Sequence, residues 1–209
     1  MKYKVYGFAG SRSIRVTWML EELGLDYEFI DVRPHSPEIL ALNPTGKIPV
    51  LEVADQVISD SAAICLYLCD AHPEKGLSAQ CGTLERAQID SWLFFAQSEL
   101  EPPIWAYRKH KKSTKFSLIP DELKVDLEPW AKFEFAKATK TLLAHLGDKP
   151  YAMGNNFSIS DIFLTQIGQW ARYERFEIPT RYKDYLDMVW ARPALDRARK
   201  KEASSNNSD

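Results

Sequence analysis

At 209 residues, 45% hydrophobic and 27% charged, the chain has the make-up of an ordinary globular protein of one large or two small domains. Its 27 basic and 29 acidic side chains leave a formal charge of −2, too balanced to argue for nucleic acid or an anionic membrane as partner. No apolar run approaches the roughly 20 residues of a membrane span, and the basic start MKYKVYGF lacks the apolar core of a signal peptide.

Lys2 to Gly7 alternates lysine with apolar residues (Tyr3, Val5) and predicts a strand. From Ser13 the period changes: Val16, Met19, Leu20 and Leu23 share one helical face, and Gly24 ends the helix. Tyr27 to Val32 reads as a second strand, after which Pro34 and Pro37 break the pattern. Pro49 to Val53 and Val57 to Ser59 follow as strands around an Ala54-Asp55 turn, and Ser61 to Ala71 as a helix. The βαβ unit makes the first two strands parallel, and the two-residue turn makes the last two antiparallel, giving a mixed sheet of about 75 residues. The three cysteines form no CxxC and no spacing joined to histidine, so no metal site is expected. Cys65 and Cys69 fall four apart in an apolar helical pattern and read as core thiols; with Cys81 the odd count suggests a reducing compartment, the cytoplasm.

Pro73 to Gly82 carries Pro, Gly, Ser and Lys without apolar period, so a first domain is expected over 1–75, a linker over 76–83 and a second domain over 84–209. That second part reads as wholly helical. Helices are predicted from Leu84 to about Tyr107 and over Leu123–Leu146, Ile159–Tyr173, Arg181–Trp190 and Pro193–Lys201. Arg108 to Lys115 is a basic run suited to a solvated helix end, and the terminal ASSNNSD is expected to be disordered.

Three features of the first domain can carry chemistry. The turn Gly10-Ser11-Arg12-Ser13 joins strand to helix; a serine there is a favoured helix cap, and its hydroxyl beside a helix N-terminus also stabilises an anion. Pro49 opens a strand although proline cannot donate to a ladder, which suits a strand edge reserved for a peptide-like ligand. A cis Ile48-Pro49 bond would expose the N–H and C=O of Ile48 to an incoming backbone; a trans proline at a strand start is the plain alternative. In Ser59-Asp60-Ser61, Ser61 can cap the helix and its N–H groups can hold a carboxylate, while Asp60 can pair with an ammonium; a simple cap is again the alternative. Together the three suit a short peptide with an amino-acid head and an anionic reactive group.

The run NPTGKIPVL followed by SDSAAICLYL closely resembles the thioredoxin-like half of the cytosolic glutathione S-transferases. The second half agrees: Phe157-Ser158-Ile159-Ser160-Asp161-Ile162 is a capping box with Ser158 at N-cap, Asp161 at N3 and Phe157 and Ile162 as hydrophobic staple, and WARPAL follows near the end. The likeness spans roughly residues 1–200 and points to a serine-type, bacterial-looking member. It implies an α/β thioredoxin-like N-terminal domain (βαβ-ββα mixed sheet) followed by an all-α C-terminal domain, with glutathione as cosubstrate and no metal.

Residue by residue, the resemblance implies that Ile48 pairs through its backbone with the cysteinyl part of glutathione and that Pro49 is cis. Asp60 and Ser61 would hold the γ-glutamyl head, and Lys47 the glycine carboxylate. Ser11 would donate to the thiolate, with Ser13 the second candidate, Tyr6 the third, and Arg12 supplying positive field. The second substrate would be a small hydrophobic electrophile, which in the family lies between the domains. Trp105, Tyr107, Trp170 and Tyr173 are candidates to line it, with ordinary core packing the alternative for each. A homodimer is expected. Conjugation is the first reading; peroxide or disulfide reduction, isomerisation, and non-catalytic glutathione binding stand beside it. A cysteine-based thiol-transferase mechanism is disfavoured, because the turn holds no cysteine.

Overall fold

The structure is a computed structural model that describes residues 2–111 and 119–205. Its sheet begins with β1 (Tyr3–Gly7), where Tyr3, Val5 and Gly7 are buried and Lys4 and Tyr6 half-buried, so the alternation in the sequence is the alternation of faces. α1 (Ser13–Leu23) ends on Gly24, whose φ of 70° provides the left-handed C-cap. β2 (Tyr27–Asp31) runs parallel to β1, with Val5 opposite Phe29. A short helix absent from the sequence reading, α2 (Pro37–Leu42), follows. Pro37 does not break this segment but starts it: proline at the first helical position loses no needed N–H, and Ser36 caps the turn by accepting from the Ile39 N–H at 3.3 Å.

β3 (Val50–Val53) and β4 (Gln56–Ser59) form the expected hairpin, with Ala54 and Asp55 both at positive φ (47° and 60°), as a primed turn requires. The sheet order is β2-β1-β3-β4. β3 is therefore an interior strand, antiparallel to β1 on one side and β4 on the other, and not the reserved edge that Pro49 suggested. The proline is tolerated because it lies one residue before the ladders begin. α3 (Ser61–Ala71) packs on α1, and Val16, Met19 and Leu20 of α1, Leu51 of β3 and Ile64 and Leu68 of α3 are all buried. Cys65 and Cys69 are core thiols, as read; burial pushes both up, Cys69 to about 12, so neither is a nucleophile near neutral pH.

The chain forms two compact units, 1–86 together with 190–209, and 87–189. The last helix, α9 (Pro193–Ser204), thus belongs with α1 and not with the helices that precede it. Every residue of α1 from Ser13 to Leu20 is buried, more than two turns, so α1 needs cover on all faces; the sheet, α3 and α9 provide it. Arg192 grips Glu22 with two bonds (2.6 and 2.8 Å), Arg197 meets Glu21 at 2.7 Å, and the Thr17 hydroxyl donates to Glu202 at 2.9 Å.

The helical unit contains α4 (Leu84–Phe95), a π-helical stretch over Ala96–Leu100, α5 (Glu101–His110), α6 (Glu128–Leu146), α7 (Ile159–Tyr173) and α8 (Thr180–Trp190). α7 is its centre, with twelve of fifteen residues buried. The capping box is formed: Asp161 accepts from the Ser158 N–H at 2.8 Å, and also from the Ala152 N–H (2.8 Å) and the Tyr185 hydroxyl (2.6 Å). Burial nonetheless raises its carboxyl above the ordinary value. A Cβ on Gly168 would lie 2.5 Å from Leu186 Cδ2 and 2.9 Å from the Tyr182 hydroxyl, so glycine allows α7 and α8 to touch. Ala203 and Ser204 of the supposedly disordered tail are helical. Residues 206–209 of that tail and 112–115 of the basic run lie outside the described residues. Among the described residues no helix is long and apolar enough to cross a membrane.

Candidate functional site

The strand register brings three loops to one end of the sheet. Tyr6 of β1 faces Val50 of β3, and Val50 faces Ser59 of β4, so the exit of β1, the entry of β3 and the exit of β4 are side by side. At about 4.8 Å per strand the row spans roughly 10 Å, the length of an extended tripeptide. Each loop carries one of the features singled out in the sequence.

In the β1–α1 loop, Gly10 adopts a left-handed φ of 83° and the Ser11 N–H donates to the Phe8 carbonyl at 3.1 Å. Ser11 Oγ accepts from the Ser13 N–H at 3.1 Å, and the two serine hydroxyls hydrogen-bond to each other. Ser13 Oγ donates to the Phe8 carbonyl at 3.1 Å, which leaves the Ser11 proton as the one shared within the pair. Ser13 is wholly enclosed, whereas Ser11 is 9% exposed. The tight fit has a cause in β1: a Cβ on Gly7 would stand 2.5 Å from Ser13 Cβ. Neither serine is the N-cap of α1; that position falls to Arg12, which is half-buried. Tyr6 is engaged elsewhere, its hydroxyl donating to Glu52 at 2.7 Å beside Lys4, which also bonds Glu52 at 2.7 Å. Burial and then Glu52 push the Tyr6 phenol up to about 12.

The loop into β3 is organised by Asn43, a buried residue the sequence reading passed over. Its Oδ1 accepts from the Thr45 N–H (3.2 Å) and hydroxyl (3.0 Å), its Nδ2 donates to the Lys47 carbonyl (2.9 Å), and its own carbonyl accepts from the Gly46 N–H (2.8 Å). The available signal was the Asn43-Pro44 pair, a turn-initiating dipeptide whose side-chain partners are fixed only by folding. The His35 N–H donates to the Gly46 carbonyl at 2.8 Å, tying the β2–α2 loop to the same turn. Lys47 is exposed, Ile48 half-buried, and the Ile48-Pro49 bond cis. The sheet ladders start two residues after Ile48 and leave its N–H and C=O to other partners.

At the exit of β4 the N-cap of α3 is Asp60, not Ser61. Asp60 takes a left-handed φ of 73°, and its Oδ1 accepts from the Ala62 N–H at 2.8 Å. Ser61 is the first residue of the helix and is buried, its Oγ accepting from Arg15 Nη1 at 3.2 Å. Asp60 wins because its longer side chain reaches the N–H two residues on, while Ser61 already has helical backbone. Arg15, 1% exposed, was also missed; an arginine within an apolar helical stripe was its only mark.

Of the four aromatic candidates in the helical unit, two meet. Trp105 stacks on Trp170 with centroids 5.9 Å apart at 20°, and the Arg108 guanidinium lies 4.4 Å from the Trp170 centroid. Tyr107 instead packs edge-on to Phe176, which joins Phe135 in the core. Tyr173 is 76% exposed. Trp170 is itself buried, so Trp105, half-buried, is the part of the pair open to a ligand.

The fold and these loops define a thioredoxin-like domain followed by an all-helical one, with a peptide-sized row of polar groups at one end of the sheet. Residues 5–76 match the model of the glutathione S-transferase N-terminal domain. Glutathione S-transferase 3 of Zea mays is 30% identical over 172 residues, covering 76% of this chain and 73% of the maize protein. A glutathione transferase of Methylococcus capsulatus superposes with a TM-score of 0.82 at 27% identity, over 97% of this chain and 99% of its own. A sphingomonad glutathione S-transferase solved with glutathione superposes with a TM-score of 0.79 at 26% identity, over 97% and 99% of the two chains. The chain belongs to the glutathione S-transferase family.

Proposed function

We propose that the protein is a glutathione transferase that ionises the thiol of glutathione and directs the thiolate at a small hydrophobic electrophile. The row of three loops carries this reading. Ile48, released from the ladders, pairs with the cysteinyl backbone; Asp60 takes the γ-glutamyl ammonium and Ser61 the neighbouring carboxylate; Lys47 reaches the glycine carboxylate. Ser11 then faces the sulfur, with Arg12 adding positive field. Its partial exposure favours Ser11 over the enclosed Ser13, and the Glu52 bond disfavours Tyr6.

The magnitudes suffice. A free thiol ionises near pH 8.5, and a hydrogen bond to a charged group is worth about 1.5–3 kcal/mol; at about 1.4 kcal/mol per unit this lowers the thiol by roughly 1–2 units. On binding, the Ser11 proton turns from Ser13 to the sulfur, and the thiol proton leaves to solvent. The sulfur lone pair forms the C–S bond while the leaving group departs with its electron pair, or while an activated double bond takes it up. Residues 1–75 bind glutathione in this reading, and the helical part from 84 onward, with Trp105, Tyr107, Trp170 and Tyr173, receives the electrophile. The working form is a cytoplasmic homodimer with a detoxifying role.

The test is Ser11→Ala assayed with glutathione and an aryl halide. Turnover should fall by at least tenfold, the counterpart of about 1.4 kcal/mol, with glutathione affinity little changed. Unchanged turnover would remove Ser11 from the chemistry. Glutathione binding by the unaltered protein with no turnover on electrophiles, peroxides or disulfides would make it a binding module.

A further inference from the structure

The interior of the first unit holds a cation that the proposed mechanism does not use. Arg15, on α1 and all but inaccessible, donates from Nη1 to Ser61 Oγ across 46 residues of sequence. Its backbone is pinned to α3 as well, because the Cys65 thiol lies 3.5 Å from the Arg15 carbonyl. Burying a guanidinium is costly and calls for a function in fold or site.

The direction of the bond matters. A guanidinium only donates, so Ser61 Oγ is the acceptor, and its hydroxyl proton must point away from Arg15. That proton meets no acceptor among the described residues, and Ser61 stands at the first helical position of α3. The Asp60 carboxylate is already turned back to the Ala62 N–H. An oriented O–H at a helix N-terminus, backed by a buried positive charge, is a donor built for an anion. Asp60, the adjacent negative group, suits the cation that an amino-acid head carries beside its carboxylate.

We infer that Arg15 is a positioning and specificity-determining residue: it holds the Ser61 hydroxyl as a donor to the α-carboxylate of the γ-glutamyl group. This rests on the assignment of Ser61 to that group in the proposed function. Arg15 touches no ligand itself; it selects tripeptides with a free carboxylate at that end over those without one.

The test is calorimetric binding of glutathione and of 4-aminobutyryl-cysteinyl-glycine, the analogue lacking that carboxylate, to the full chain and to Arg15→Met, Arg15→Lys, Ser61→Ala and Arg15→Met/Ser61→Ala. The readout is the ratio of the two dissociation constants, which a general loosening of the fold leaves unchanged. Arg15→Met should cut the preference for glutathione by about tenfold, Arg15→Lys should retain part of it as a point-charge donor, and the double variant should lose no more than Ser61→Ala. If Ser61→Ala lowers the ratio but both arginine variants weaken the two ligands equally, the role of Arg15 is overturned while the glutathione assignment stands. An unaltered ratio in Ser61→Ala removes both residues from carboxylate recognition. No glutathione binding by the unaltered chain overturns the proposed function as well. Should Arg15→Met fail to fold, Arg15→Lys decides by the same ratio, a partial loss of the preference for glutathione supporting the inference and an undiminished preference, with or without equal weakening of both ligands, contradicting it.

Discussion

Glu202 of α9 is a carboxyl group at the α1–α9 contact, 1% exposed, and its assigned polar neighbour is the Thr17 hydroxyl at 2.9 Å. Burial, reinforced by Asp31 and only partly offset by Thr17, pushes it from 4.5 up to about 8. The sign follows from linkage. With the folded value above the unfolded one, the folded state binds the extra proton, so the stabilisation is complete below pH 4.5 and is lost as pH rises toward 8. At pH 7 the loss is RT ln of the ratio of the two binding polynomials, about 3 kcal/mol. Glu202→Gln keeps an acceptor for Thr17 and cannot ionise. Urea unfolding of both proteins from pH 5 to pH 8 should therefore show the unaltered chain losing about 3 kcal/mol relative to the glutamine variant, other titrations cancelling in the difference. Two curves that run parallel across this range would refute the reasoning.

Other outcomes can be stated more briefly. Asn43→Ala removes the partners of the Thr45 N–H and the Lys47 carbonyl and should cost about 1–3 kcal/mol in denaturation while raising the KM for glutathione, since the turn leading to Ile48 loses its fixture. Tyr6→Phe deletes only the bond to Glu52 and should leave the pH profile of kcat/KM unchanged; a shifted profile would return Tyr6 to the thiol. Gly168→Ala sets a methyl against Leu186 and Tyr182 and should destabilise the helical unit by about 1–3 kcal/mol, read as a lower Tm.

Much of the architecture was legible because it depends on local rules. The period-2 pattern of β1, the period change at Ser13, Gly24 as C-cap and the Ser158–Asp161 capping box are each decided within a few residues, and each appears where the sequence put it. Errors arose where a local signal had two physical outcomes. Pro37 can stop a helix or start one, and Ser36 made it a start. A proline before a strand suits an edge or the approach to an interior strand, and only the pairing of β3 with both β1 and β4 chose between them.

The sequence by itself determined the four strands, the long helices of the first unit, their order and the three polar loops, though not α2, because helix caps, turn residues and alternation are short-range properties of the chain. What the tertiary structure alone decided was the state of each side chain in those loops. The enclosure of Ser13 depends on the space that Gly7 leaves, and the Ser61 hydroxyl accepts from Arg15, 46 residues away. The cover of α1 comes from a helix whose Glu202 lies 185 residues from Thr17. Such contacts are settled by burial and hydrogen-bond satisfaction among residues far apart in the chain, which no local pattern encodes.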